Sequence, residues 1–396
     1  MYLVGLMGIM PIEPINPLYA QSAQTEDSTL QRLLDSLDAN FRNPRAKGNI
    51  SLNLDGAIFF INDEYFGNRI EGYTLPGFRL VPKIQWNLSF DVSLQGGIHW
   101  LNYWGAHSYP ATMSYGVLPN YSDTSTLMHV VPWLQAKYHV TNRLTLTFGS
   151  LDPSTHMLPL PLYNPELTYV ADPEQGLEAG VELPWLKGDV WVDWREFIWN
   201  NSPRQERFTL GASGALRLFC LDWMFYLPLH FIGQHVGGQT LATTTPIQNN
   251  FNASAGLGVS RPLPHSDITA DLSCRMMWYH QQGNTDVPFN DGWGIYPELS
   301  VYFPSSHWYL SVSYWTGHNF VPLLGSWLYS NLSSVDGTTT FDRTDVLTAQ
   351  VTYFHYTWME DYALKVYASA HYYPLEQQLQ YSVGCSFGFS PSIYLK

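Results

Sequence analysis

The stretch LQYSVGCSFGFSPSIYL, residues 379–395, decides the fold class. Leu379, Tyr381, Val383, Cys385, Phe387, Phe389, Pro391, Ile393 and Leu395 fill every odd position. Gln380, Ser382, Gly384, Ser386, Gly388, Ser390 and Ser392 fill the even ones before Tyr394. Side chains on a strand point alternately to opposite faces, so one face is apolar and the other small and polar. Strands of soluble sheets usually stop after roughly 5–6 residues. An alternation this long predicts a strand that meets lipid on one side and a watery interior on the other.

The same dyad recurs upstream. Leu144, Leu146 and Phe148 interleave with Arg143, Thr145 and Thr147; Ile268, Ala270, Leu272, Cys274 and Met276 interleave with Asp267, Thr269, Asp271, Ser273 and Arg275. Leu364, Val366, Ala368 and Ala370 alternate with Lys365, Tyr367, Ser369 and His371. The charged residues share the inner phase each time, which is the apolar-out, polar-in pattern of a membrane barrel. Composition agrees. The chain of 396 residues has 15 Trp, 26 Tyr and 20 Phe, more than its 33 acidic and 19 basic residues together. So few charges argue against an ordinary soluble domain and against disorder. A net charge of −14 leaves no basic surface, so no nucleic-acid partner is expected. No apolar run reaches the ~18 residues of a membrane helix.

Counting dyad segments predicts an all-β chain, a transmembrane antiparallel up-and-down β-barrel of about sixteen strands. They lie near 49–61, 77–87, 90–103, 125–139, 142–151, 175–184, 188–199, 206–219, 223–235, 250–261, 267–281, 292–303, 307–317, 344–358, 361–373 and 378–394. Short connections alternate with long ones (62–76, 104–124, 152–174, 236–249, 318–343), so both termini are expected in the periplasm. Residues 1–20 read as a truncated signal peptide, with Leu18-Tyr19-Ala20 as its cleavage site. Residues 21–46 form a periplasmic segment with a short helix through Leu30, Leu33, Leu34 and Leu37, or else a plug; the barrel fills 47–396. Pro82, Pro132 and Pro297 fall on the lipid-facing phase and predict bulges or pairing gaps. Aromatic pairs at strand ends (Trp100/Tyr103/Trp104, Trp194/Trp199, Trp278/Tyr279, Tyr372/Tyr373) predict interfacial girdles.

Several stretches resemble the porin-like outer-membrane barrels of Bacteroidetes-type bacteria. They are the Ala20-Gln21 junction, Thr141-Asn142-Arg143-Leu144-Thr145-Leu146-Thr147-Phe148-Gly149, Gln234-His235-Val236-Gly237-Gly238-Gln239, Gly317-His318-Asn319-Phe320 and the C-terminus. The resemblance covers residues 47–396 and implies a porin or related channel. One departure is the end Tyr394-Leu395-Lys396, where such barrels commonly close on an aromatic residue. The expected function is passive diffusion of small polar solutes, in a Gram-negative outer membrane. The expected partners are membrane lipid and lipopolysaccharide, the barrel-assembly machinery and a second copy of the chain. A plugged barrel serving as an anchor or complex subunit is the alternative, and an outer-membrane lipid-modifying enzyme the third.

The dyad phase predicts the pore lining. Its bases are Arg79, Lys83, Lys137, Arg143, Arg195, Arg207, Arg217, Arg275 and Lys365. Its acids are Asp55, Asp91, Glu178, Glu182, Asp189, Asp193, Asp267, Asp271 and Glu298, so the wall is close to neutral. Strong ion selectivity would need a ring of one sign. His99, His129, His230 and His371 share the inward phase but come from scattered strands, so no metal site is expected. Met157, Leu158, Leu160, Leu162 and Tyr163, set among four prolines, make the third long loop too apolar for free solvation. A constriction is expected there. Loop 318–343, with Phe320, Leu324 and Trp327, does the same or contacts a neighbouring subunit. Cys220, Cys274 and Cys385 show no metal or redox spacing, so no cofactor is expected. No hydrolase or nucleotide motif appears; Ser154-Thr155-His156 is the nearest thing to a lipid-hydrolase pair, and a non-enzyme is expected.

Overall fold

The computed structural model describes residues 47–104, 129–197, 205–220, 223–238, 246–263, 266–283, 287–356 and 362–395. The predicted signal peptide, the segment 21–46 and most of loop 104–124 lie outside the described residues.

The strands are β1 (Ile50–Glu64), β2 (Tyr73–Asn87), β3 (Val92–Tyr103), β4 (His129–Thr141), β5 (Leu144–Leu151), β6 (Glu174–Leu183), β7 (Leu186–Glu196) and β8 (Glu206–Cys220). The second half comprises β9 (Met224–Gly237), β10 (Gln248–Pro262), β11 (Thr269–Gln282), β12 (Asp291–Phe303), β13 (Trp308–His318), β14 (Thr344–Tyr356), β15 (Tyr362–Tyr373), β16 (Gln378–Phe389) and β17 (Ser392–Tyr394). From β1 to β15 each pairs antiparallel with its successor, and β1 closes the sheet against β16 and β17. The last two are one stave interrupted at Pro391, which lacks an N–H to pair, though its carbonyl accepts from Leu54 N at 3.0 Å. The protein is therefore a closed sixteen-stave antiparallel barrel. Tight turns join strands at one end, where β1 starts and β17 finishes; long loops crowd the other.

Burial alternates as the dyad requires. On β11, Asp271, Ser273, Arg275, Met277, Tyr279 and Gln281 are buried while Leu272, Met276 and Trp278 are exposed. The exposed apolar residues run right round the barrel. A belt of that extent far exceeds the few hundred Å² of apolar patch a soluble monomer tolerates. Hydrocarbon is the solvent that suits it. No helix among the described residues is long and apolar enough to cross a membrane; the strands make the crossing.

Two of the three prolines coincide with pairing gaps. β2–β3 pairing skips from Leu80 to Lys83, and β12–β13 pairing from Ile295 to Glu298, without change of register. Pro132 instead pairs with Ile98 in β3, while β4 meets β5 only from Gln135 onward. The predicted aromatic girdles are corrected in part: Tyr103, Tyr279 and Tyr373 are buried in the bore, whereas Trp104, Trp194 and Trp278 face outward. Trp199 is outside the described residues.

Candidate functional site

Two of the long loops fold into the barrel. Loop 152–173 begins with Asp152, whose Oδ1 accepts from Ser154 N at 3.0 Å and caps a 3-10 turn over Pro153–Thr155. Its prolines limit the chain to compact turns until a single helical turn, Leu167–Val170. Loop 319–343 is organised by Asn331: its Oδ1 accepts from Phe320 N at 3.0 Å and its Nδ2 donates to Phe341 O at 2.8 Å. The two loops meet in a parallel bridge between Tyr163 and Leu324, with Asn164 N on Leu324 O at 2.7 Å and Ser326 N on Leu160 O at 2.9 Å. At Gly325 the approach is so close that a Cβ would lie 2.0 Å from Pro161 O.

Both loops also reach the wall, from opposite sides. Tyr169 packs on Phe59 of β1 and bonds Ser386 of β16 at 3.0 Å. On the far side Met157 N donates to Ser213 of β8 at 2.8 Å. Asn252 of β10 clamps the other loop, donating to Val321 O at 3.0 Å and accepting from Leu323 N at 2.8 Å. A buried apolar cluster, including Leu158, Leu162, Val170, Phe320, Leu324 and Leu328, thus spans the bore. Met157, Leu162 and Tyr163 of the expected constriction are buried there, and Leu160 packs partly buried against them.

Beneath this cluster lies a compact charged one. His156 is fully buried, with Nδ1 2.5 Å from Asp189 Oδ2 of β7 and Nε2 2.9 Å from Glu174 Oε2 of β6. Its ring stacks on Trp191, centroids 3.5 Å apart and 11° from parallel. Ser213 donates to the other Asp189 oxygen, and Thr155 Oγ1 donates to Glu178 Oε1 at 3.2 Å. Burial alone would lower the imidazole's affinity for protons; the Glu174 and Asp189 carboxylates outweigh this and raise it well above the ordinary histidine range. His156 is therefore sealed inside the barrel, away from any lipid.

The predicted lining residues Arg79, Lys83, His99, Lys137, Glu178, Asp193, Arg195, Arg207, Arg217, His230, Asp271, Arg275, Glu298, Lys365 and His371 all stand on inward strand phases. Several are paired: Lys83 with Asp55, Arg195 with Asp193, and Arg275 with Glu298 at 3.0 Å. Asp271 accepts from Tyr226 Oη at 2.8 Å. Glu182 shares the inward phase at the exposed turn end of β6. Two assignments are corrected: Asp91 and Arg143 sit in the tight turns β2–β3 and β4–β5, because their strands begin one residue later. Asp267 likewise caps a turn, accepting from Ser305 N at 2.7 Å.

A second constellation lies on the outer wall at the long-loop rim. His280 of β11 and Asp291 of β12 are cross-strand partners with Nδ1 2.7 Å from Oδ1, and both are open to the surroundings. Phe251 of β10 lies nearly parallel to the His280 ring. The next strands carry His235, bonded to Asn249 at 2.7 Å and stacked on Phe208, and His318 beside Trp293. Just below, Trp278 and Trp293 face outward, so the histidines sit where the apolar belt gives way to polar surface. This group was not found from sequence. Its signal was available: His280 and Asp291 occupy the apolar phase of their strands, where a charged or polar group needs a reason.

Among solved structures, OpdK of Pseudomonas aeruginosa with vanillate is similar at TM-score 0.50 and 11% identity, covering 87% of this chain and 99% of that one. A BenF-like porin from Pseudomonas fluorescens Pf-5 gives 0.49 and 11%, over 87% and 99%. A loop-deleted OmpT of Vibrio cholerae gives 0.45 and 13%, over 86% and 98%. At such identities the likeness concerns the fold, an outer-membrane barrel. No curated protein matches the chain. A family model described as Lipid A 3'-O-deacylase-type matches residues 42–396. That is an enzyme family, which overturns the expectation of a non-enzyme; the sequence held no local hydrolase motif to reveal it. The porin-like resemblance holds for the barrel fold, and the chain belongs to the Lipid A 3'-O-deacylase-type family.

Proposed function

We propose that the protein hydrolyses an acyl ester of lipid A in the outer leaflet, with His280 and Asp291 as its catalytic pair. The observation that carries this is their 2.7 Å contact on the outer wall, at the rim of the apolar belt. With the long loops outside the cell, this rim lies level with the junction of sugar headgroup and acyl chains, where the esters are. Asp291 accepts a hydrogen bond from Nδ1–H and fixes the ring, leaving Nε2 to act as general base. Nε2 takes a proton from water, whose oxygen attacks the acyl carbonyl. The tetrahedral intermediate collapses by breaking the bond to the sugar oxygen, which receives the proton back from His280. The products are a fatty acid and a free sugar hydroxyl. Phe251 limits rotation of the imidazole. Trp278 and Trp293 offer apolar faces for the acyl chains.

The test is mass spectrometry of lipid A after incubation with the detergent-purified barrel. Loss of one acyl chain is expected, slowed about 10²–10⁴-fold in His280→Ala and less in Asp291→Asn. An unchanged lipid A with heat-modifiable, folded protein would sink the reading.

Passive passage of small polar solutes is a second reading. It is favoured by a sixteen-stave circumference, wide enough for an aqueous bore, and by a pocket beside the inward loops lined by Glu166, Lys365 and His371. Planar-bilayer recording checks it. Ohmic steps that grow when residues 153–172 are deleted support it; silence of both forms rejects it.

A further inference from the structure

We propose that His156, Glu178 and Asp189 form a divalent-cation site that fastens the third long loop to the barrel wall. The donor atoms of these three residues all lie within 4.8 Å of one another. They arrive from three places: the inward loop, β6 and β7. Glu174 makes a fourth contact from the start of β6, at the second imidazole nitrogen.

Charge and geometry point the same way. Three carboxylates surround one imidazole, and the basic residue across β5 from Glu178 is Lys137, two staves away on the same wall. Arg195, on the same face of β7 as Asp189, is engaged by Asp193. The side chains of His156, Glu174 and Asp189 are 0%, 3% and 6% exposed, so water does little to offset the excess negative charge. Buried charge of one sign is strongly unfavourable unless it is paired or coordinates a metal. Both ring nitrogens face carboxylate oxygens, contacts that a proton on each nitrogen satisfies in the empty site and that an ion on Nδ1 would satisfy on the Asp189 side.

The surrounding bonds are those a metal centre uses. If Nδ1 binds the ion, Nε2–H donates to Glu174, and that carboxylate orients the ring as outer-shell acids do for metal-bound histidines. Ser213 donates to Asp189 and Thr155 to Glu178, leaving each carboxylate an oxygen for the ion. One imidazole with carboxylate oxygens suits zinc or manganese, whereas calcium prefers an all-oxygen shell. With ligand bonds of about 2.0–2.2 Å, seating an ion would open the Nδ1–Oδ2 contact to about 3 Å while the longer separations, within 4.8 Å, close. The site is independent of the lipid-hydrolase reading, being sealed in the bore and far round the barrel from His280.

The experiment uses the full folded chain in detergent, stripped with chelator, and titrated calorimetrically with Zn²⁺ alone. One equivalent is expected to bind, at least 100-fold more weakly in His156→Gln and in Glu178→Gln. Co²⁺ should quench tryptophan fluorescence in the wild type and lose that component in Trp191→Phe, since Trp191 stacks on the ligating ring. Heat-modifiability on gels establishes that each variant is folded; Glu178 is only partly buried, so its variant serves if His156→Gln does not fold. Zn²⁺ binding that survives in both variants overturns the proposal. So does the absence of saturable binding to the wild type, in which case an imidazolium alone balances the cluster. No lipid enters the measurement, so its outcome leaves the lipid-hydrolase reading where it stood.

Discussion

Gly211 illustrates how single residues set the interior. A Cβ there would lie 2.0 Å from the Trp191 ring, so the absence of a side chain on β8 lets Trp191 lie flat against the wall. Only in that position does the indole stack on His156. Gly211→Ala must therefore tilt the indole or lift the third loop. We expect it to destabilise the barrel by about 1–3 kcal/mol, the usual cost of overpacking a full interior. Urea titration in detergent measures this; Gly180→Ala is the control, because nothing lies within 4 Å of its Cβ position. Equal midpoints for the two variants would refute the stacking argument.

The elements were legible to different degrees, for reasons of range. A strand's dyad is local, so the sixteen staves could be counted from Leu379 and Leu144 and their neighbours without knowing any pairing. Register is not local. His280 meets Asp291 only because the β11–β12 hairpin sets them opposite one another, and the pair is invisible until that register is known. His156, Glu174, Glu178 and Asp189 converge only when a loop turns inward, which prolines and leucines hint at but cannot aim. Asp91 and Arg143 were misplaced because alternation continues into a turn without marking where the wall stops. The tip of the 319–343 loop offers a prediction at this scale. Asp336 accepts from Thr339 Oγ1 at 2.5 Å and from the backbone N–H groups of Thr339 and Thr338 at 2.8 and 2.9 Å. These bonds hold its carboxyl well below the ordinary carboxylate range. Since the folded value is depressed, the turn's stabilisation is complete above the ordinary value of 3.8 and is lost as pH falls from there through the folded value. Amide exchange at Thr338 and Thr339, corrected for intrinsic rates, should therefore accelerate below about pH 3.8 in the wild type and show no such step in Asp336→Asn.

For the whole molecule, the outer surface decides what the protein acts upon, so the depth of each residue in the membrane matters. Leu299 and Gln282 both face outward on neighbouring strands, one well down β12, six residues from Trp293, and the other at the rim of β11 beyond His280. If hydrocarbon covers the belt and stops at Trp278 and Trp293, an arginine should be tolerated very differently at the two places. Leu299→Arg should cost about 2–4 kcal/mol, as for a cation near the bilayer midplane, and Gln282→Arg about 0–1 kcal/mol, as near an interface. Reversible folding into phosphatidylcholine vesicles, followed by urea titration, reads both. A steep difference would put His280, which lies between these two levels, at the edge of the hydrocarbon, where its imidazole can meet both water and an acyl ester. Equal costs would mean that lipid does not stop at the tryptophans. The His280–Asp291 pair would then lie either in dry hydrocarbon, without water to activate, or in bulk solvent, out of reach of the acyl chains.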